Sequence, residues 1–498
     1  MSPRRTRVLT LSAFACLAAQ PALCLTAEEL WAEWQSQSAA MGQIVSAQEV
    51  SADNGVLTLT GYSSRFTDGD VVAMGQVDQM VMTETGDGRV VVTMSDTYTI
   101  RLSVAPEPGT TPIKAMFTVD MPGLTITASG PSDARSYTYA AARITVEDGP
   151  ITGGAGPLPS LDMTIAIADY AATVNLTGSD PAAMRYVSTS SLGGVTGALT
   201  LIPPPGEDGR LTARFALGAS AATGAGSLGN LTAMAKGADV LPEDFAFDGD
   251  FRYDSAQMDL RLDHPIEGFS LQSSNAGGRL AANLSDRELG FRAAATGSTS
   301  TLQSADVPVP VTTAIGSAEI AVSVPLAASD DPQPFATRLA YQDATLSDEI
   351  WALFDPAQVI PRDPISLVAD VSGSLRLLSN LLSSDPDQRA SVPAELVDLS
   401  LNELRIALAG AELSGSGSAI FAPAPRQRPI GAFDLRLQGS NALLDRLQNS
   451  GLLPIEQLAM ARGLLAALTR PGAAPDTVET TIEFTEGGGI TANGVPLQ

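Results

Sequence analysis

The sequence predicts a mainly β protein of the α+β type: a large, twisted or curved antiparallel sheet or meander, with an N-terminal helix and a C-terminal helical pair packed on it. Three observations carry that expectation. From about residue 47, apolar residues alternate with Thr, Ser and Asp at a period of two, the pattern of strands with one wet face. Gly, Asp, Asn and Pro fill the gaps, as tight turns require. Stretches near both ends of the chain switch to helical spacing instead.

Residues 1–24 carry the marks of a cleavable export signal. Arg4, Arg5 and Arg7 precede an apolar stretch from Val8 to Ala19, and Pro21 leads into Ala22-Leu23-Cys24. Leu23 disfavours lipoprotein processing at Cys24, since a small residue is wanted before a lipidated cysteine. Cleavage after Cys24 removes both cysteines, Cys16 and Cys24, and rules out a disulfide framework in the periplasm. Removing the three arginines leaves 26 basic against 55 acidic residues, a charge of −29. A nucleic-acid partner is not expected of such a chain. No second apolar run approaches the roughly 18 residues that span a bilayer, so no transmembrane segment is expected after cleavage.

In order, Thr26 and Glu29 form a capping box for a helix that carries Leu30, Trp31 and Trp34, with Met41 and Ile44 following. Strands are then expected over 56–60 (ending at Gly61), 71–83, 90–94, 98–104, 117–121, 124–128, 137–146, 161–168, 172–176, 195–201, 211–217, 245–262 and 290–295. The recurring Leu-Thr-Gly or Leu-Ser-Gly at residues 59–61, 176–178 and 413–415 reads as a strand-ending turn. Val307–Val311, with two prolines, reads as an edge or linker. A composition shift at Ser329–Pro334 divides an N-terminal helix plus β region (25–328) from a mixed region (329–498), and the two can share one sheet. Beyond it, Ser347 caps a short helix, 365–371 is a strand, 375–382 a helix, and 397–408 with 411–421 a hairpin across Gly410. Asn441 caps a helix through Leu447, a second helix spans 455–468, and 478–484 with 490–492 closes the chain as a hairpin.

Chemistry-bearing residues are sparse. His264, the one histidine, follows Asp263, but a strand-end histidine held by its neighbours is the commoner case. With no thiolate and a single histidine, neither a metal nor a cofactor site is expected. The acids Asp244, Asp248, Asp250 and Asp254 lack the spacing of a calcium loop and read as solvated turns. The densest polar group surrounds Trp351: Asp343, Asp348, Asp355, Arg362 and Asp363. Paired carboxylates could run a glycoside hydrolysis, yet Ser347, Asp348 and Asp355 stand where helix caps and stops belong, and Arg362 suits a carboxylate clamp. Catalytic residues are therefore not assigned.

Several stretches carry a family likeness: Leu25-Thr26-Ala27-Glu28-Glu29-Leu30-Trp31, Met94-Ser95-Asp96-Thr97-Tyr98, Ser347-Asp348-Glu349-Ile350-Trp351, Pro361-Arg362-Asp363-Pro364, Asn441-Ala442-Leu443-Leu444-Asp445, Gly451-Leu452-Leu453-Pro454 and Ala492-Asn493-Gly494. Together the chain resembles the domain of unknown function (DUF) 2125 family of exported alphaproteobacterial proteins, over nearly its whole mature length. That resemblance implies no catalytic residues. More distantly the chain is similar to periplasmic β-proteins of the AsmA and YdgA type, which are linked to lipid homeostasis. The expectation is a non-enzymatic envelope protein whose sheet shields an apolar ligand or lipid. The alternatives are an adaptor for another envelope protein and a hydrolase using Asp348, Asp355 or Asp363.

Overall fold

The computed structural model describes residues 24–105, 110–180, 183–227, 229, 245–307, 309–381, 394–422, 428–451 and 453–497. Among these, thirty strands join one sheet, and every pairing is antiparallel. Successive rows of the ladder follow the chain. Val56–Asp68 pairs with Val71–Glu84, whose two ends pair separately with Val90–Met94 and Thr97–Val104. Those continue into Thr125–Ser129 and Ile113–Asp120, and Ala134–Asp148 spans both before Ser160–Thr177. Four rows are again split in two, starting with Arg185–Leu192 beside Gly194–Ile202 and ending with Gly277–Ser285 beside Phe269–Asn275. Glu288–Ser304 reunites the halves. Single strands then carry the ladder through Val311–Pro325, Gln333–Leu346, Ile365–Leu377, Ala394–Leu408, Ala411–Phe421 and Pro429–Gln438 to Thr477–Phe484 and Ile490–Ala492. About twenty rows at about 4.8 Å spacing make a ladder roughly 90 Å long.

A line of irregular residues crosses the rows from Val56–Asp68 through Ala394–Leu408. Gly61, Asp169, Gly297 and Asp343 lie on it in left-handed backbone conformation, with φ of 61°, 49°, 56° and 56°. In the split rows it falls at the joints, as at Gly193, whose N–H donates to Ala168 O at 2.8 Å, and at Gly218, whose N–H donates to Ser255 O. Each is one extra residue in the alternation. In Ser160–Thr177 the residues facing one side are Leu161, Met163, Ile165 and Ile167 before Asp169, then Tyr170, Ala172, Val174 and Leu176 after it. In Val71–Glu84 the buried positions likewise change parity, from Gly75 and Val77 to Met80 and Met82. Without the extra residue, half of each such row would turn its apolar side chains to the opposite face. At Gly61, Asp169 and Gly297 the irregular residue faces another in the next row and the register is kept, whereas register-shifting bulges, which bend the strands that carry them, occur at Tyr341/Ala344, Asp370/Val371 and Leu401/Leu404. Aligned from row to row, the irregular residues crease the sheet lengthwise into two walls with a shared apolar inner face.

The N-terminal helix Ala27–Ala40 lies inside one end of this trough. Its capping box forms as the sequence predicts: Glu29 N–H donates to Thr26 Oγ1 and Thr26 N–H to the Glu29 carboxylate. Leu30 and Trp31 are buried with Leu59, Met80 and Met82 of one wall and Val77 of the other. Trp31 meets Tyr62 edge to face at 6.0 Å, and Trp34 Nε1 donates to the Tyr137 hydroxyl at 3.2 Å. Arg135, almost wholly buried, is held by Glu33 of the helix. At the far end, where the second wall stops, Leu443 and Leu447 of helix Ser440–Ser450 pack with Trp351, Ile360 and Ala409.

Several expectations are corrected. The first helix stops at Ala40, and Ile44 is an exposed strand residue. The strand from Val56 runs through Gly61 to Asp68, and 161–168 with 172–176 is one strand. Of the three Leu-Thr/Ser-Gly turns only Leu176-Thr177-Gly178 ends a strand; Gly415 sits mid-strand against Leu435. Residues 375–377 end a strand rather than begin a helix, and Leu382 lies outside the described residues. Asp248 and Asp250 are strand residues, not turns, and Asp244 lies outside the described residues. Pro308 in the 307–311 run is also outside them. Helix Ser440–Ser450 is capped not by Asn441 but by Asp476, which accepts N–H bonds from Asn441 and Ala442 at 3.0 Å each. Across 329–334 the sheet is continuous, with Val322 opposite Thr337 and Ile320 opposite Leu339.

Candidate functional site

The inner face of the trough is a largely apolar surface built from register partners, interrupted by Ser188 and Ser190 on one wall and by the hydrogen-bonded Ser273 and Ser300 on the other. On one wall Phe251, Leu280, Ala293, Ile320, Leu339, Ala369 and Leu404 stand in line across seven rows. On the other, Leu161, Leu201, Leu211, Leu262 and Phe269 do the same. Cross-strand neighbours of this kind stabilise the ladder, but water still reaches much of the middle. Under the N-terminal helix Leu57, Met82 and Val92 are 2%, 0% and 0% exposed; in the central rows Leu280, Phe291, Ile320 and Tyr341 are 47%, 42%, 43% and 44% exposed. Contiguous exposed apolar surface of this extent marks an interaction site.

The outer face carries the ion pairs of the central rows, with apolar residues such as Val187, Ile420 and Val368 among them. Arg292, Glu319, Arg338, Asp370 and Glu403, on five successive strands, form a ladder of ion pairs at 2.7–3.8 Å. Asn402 donates to Asp370 and, with Arg338, holds that carboxyl below its ordinary range despite some loss of solvent. Asp250 similarly bridges Arg279 and Arg252; partial burial opposes its ionisation but the two guanidinium bonds outweigh that and lower its pKa.

The polar group around Trp351 is dispersed among structural bonds. Asp355 is buried at the end of helix Asp348–Phe354, and its carboxylate accepts the N–H groups of Val359 and Ile360 at 3.0 and 2.8 Å. Arg362 clamps Asp348, whose side chain is largely exposed. Trp351 is in the small core with Ile360 and Ala409. Asp363 lies by the Gly410 turn, and Asp343 sits on the crease. Ser347 has the backbone of an N-cap, but its hydroxyl makes no cap bond. His264 Nδ1 accepts N–H bonds from Ile266 and Glu267 at 3.3 and 2.9 Å, while Asp263 pairs with Arg261. An imidazole accepting at Nδ1 carries its proton on Nε2, the opposite tautomer from one oriented by an aspartate. Among the described residues, no group of three or more His, Cys, Asp or Glu is placed to hold a metal ion, and no helix is long and apolar enough to cross a membrane.

The exposed inner face itself escaped the sequence reading by residue number. The signal was present as a one-residue slip in the alternation at positions such as Asp169 and Gly297, where the apolar residues change parity without a turn.

Fold and site together define an open, creased single-sheet protein with a mainly apolar inner face and an outer face that carries ion-pair ladders. The chain belongs to the bacterial family described as an uncharacterized protein conserved in bacteria (DUF2125), whose profile matches residues 243–497. That match covers the rows from Ala246–Tyr253 onward and the C-terminal helices; the residues 25–31 and 94–98 that also suggested the likeness lie outside it. No curated protein and no solved structure matches the chain.

Proposed function

We propose that this chain is an exported, non-enzymatic envelope protein that shields the acyl chains of a lipid, or a similarly apolar ligand, along its trough. The observation that carries the reading is the contrast between the sealed rows under the N-terminal helix and the open apolar rows beyond it. A face built only to stabilise the fold would be covered throughout, because leaving large apolar side chains in water forfeits about 1.5–3 kcal/mol each. Support also comes from the lining, which is mainly aliphatic and presents few polar groups along Phe251 to Leu404. Bound molecules would be held by contact area rather than by directed hydrogen bonds.

The adaptor alternative would use the acidic face or a free strand edge, and of the edges the terminal strands are short and irregular. Glu49–Asp53 ends in acids, while Arg470–Pro471 and Val495–Pro496 end in proline, features that discourage edge pairing. The hydrolase alternative would need free carboxylates near one another, and Asp355 and Asp348 are engaged elsewhere. The test is native mass spectrometry of chain purified from periplasm, with uptake of a fluorescent fatty acid. Bound lipid and saturable uptake are expected, and Phe291→Asp with Ile320→Asp should abolish the uptake without unfolding the sheet. Repeated recovery of empty protein with no uptake would refute the reading.

A further inference from the structure

We propose that the trough selects an uncharged, hydroxyl-bearing lipid of the acylglycerol type over lipids with an ionised head, a proposal that rests on the trough reading above. The first observation is electrical. Among the described residues, from Arg185–Leu192 and Gly194–Ile202 to Gln333–Leu346, no Asp, Glu, Lys or Arg occupies an inward strand position. The chain has 29 basic and 55 acidic residues. Those of these strands alternate to the other side, as Asp248, Asp250 and Arg252 do around Gly249 and Phe251. The crease adds Asp254 and Asp343, which bring no positive charge. An anionic head drawn inside would lose its hydration and meet no counter-charge. Left outside, it fares no better. The turns after Ile202, Asp263 and Ser304 rim the wall of Phe269; their described residues include Glu207, Asp208, Glu267 and Asp306, all exposed, and no Lys or Arg. On the opposite rim, the turns 286–287 and 326–332 add Asp286, Asp330 and Asp331 against Arg287. Their field repels an anionic head within a Debye length, roughly 8–10 Å.

The second observation is a patch of neutral polar side chains on the wall of Phe269, beside the crease. Ser273, Ser300 and Thr313 stand opposite one another on three successive strands. Asn275 and Ser298 lie two residues nearer the crease on the first two of these strands. The Ser273 and Ser300 hydroxyls share one hydrogen bond at 3.0 Å, so one proton makes the bond and the other stays free to donate. Asn275 Oδ1, shut off from water, accepts no hydrogen bond, whereas buried acceptors are ordinarily paired. Inward neighbours on one strand are roughly 7 Å apart, a distance that a glycerol head with its hydrogen bonds spans. A hydroxyl suits both needs: its proton goes to an amide oxygen, and its oxygen accepts from a serine.

The experiment is competition, at about pH 8 where a fatty acid is ionised, against a fluorescent fatty-acid methyl ester bound to the purified chain. The competitors are a monoacylglycerol, the free fatty acid, the alkylamine and a phosphatidylglycerol, all of equal chain length. The monoacylglycerol is expected to bind about tenfold or more tighter than the fatty acid, with phosphatidylglycerol as weak as the acid. Ser273→Ala with Ser300→Ala should lower the affinity for monoacylglycerol about threefold or more relative to the methyl ester. A fatty acid or phosphatidylglycerol that competes as well as the monoacylglycerol overturns this inference and leaves the trough reading standing. An alkylamine that competes better, or a double variant that keeps the parent's ratio, overturns it too. If the ester itself never binds, the trough reading fails, and this proposal with it.

Discussion

Single side chains in this molecule mostly serve geometry, and their worth can be measured one at a time. Asp355 satisfies two N–H groups in the buried turn after helix Asp348–Phe354. Asp355→Ala leaves them unpaired and should cost about 1–3 kcal/mol in urea unfolding, whereas Asp348→Ala, which removes an exposed partner of Arg362, should cost under about 1 kcal/mol. Tyr62 and Tyr139 titrate at about 12, each pushed up chiefly by burial, then by Tyr98 for the first and by Tyr137 and Tyr170 for the second. Folding keeps these phenols neutral, so their contribution is complete below pH 10 and drains away as pH rises from 10 toward 12. Ultraviolet titration of phenolate should show this late ionising group together with loss of the helix-bound end. Asp476 has the opposite sign. Partial burial raises its pKa, but the N–H groups of Ala442 and Asn441 and the nearby Arg446 win and lower it. Its stabilisation of the helix it caps is present above about pH 4 and lost on further acidification, so the stability gap between the parent and Asp476→Asn should close there.

At the level of elements, much was legible from pattern alone. The capping box of Thr26 and Glu29, the helix Ile455–Leu468, the hairpin across Gly410 and the closing hairpin follow from local rules that nothing distant overrides. Strands such as Arg185–Leu192 and Ser220–Ser227 were missed because Ser, Ala and Gly carry little periodic hydrophobic signal; tertiary pairing makes them strands. The residues around Trp351 are neighbours in sequence, but their bonds run to local backbone, which composition alone could not reveal. The crease was overlooked for a subtler reason: a change of parity looks like a strand end unless the two halves are known to share a row. Asp169 tests this directly. Asp169→Gly should be close to neutral, Asp169→Val should cost about 1–2 kcal/mol for a β-branched residue in left-handed backbone, and deletion of Asp169 should prevent folding by turning one wall inside out.

Across the whole molecule, sealed and open apolar surface are separated in space. Met82→Ala, under the helix, should destabilise by about 2–5 kcal/mol, whereas Ile320→Asp in the open rows should cost far less in thermal unfolding yet abolish fatty-acid uptake. The family match begins at residue 243, so the sealed end built around Ala27–Ala40 lies outside the shared region. Each row touches only its predecessor and its successor, which gives the ladder the quasi-one-dimensional energetics of a stacked array. Inserting or excising a hairpin that keeps its own parity slip would alter the reach of the molecule without disturbing its stopper or its terminal helices. Span is therefore an independently adjustable quantity in this architecture, set by the number of repeats added and not by redesign of the rest.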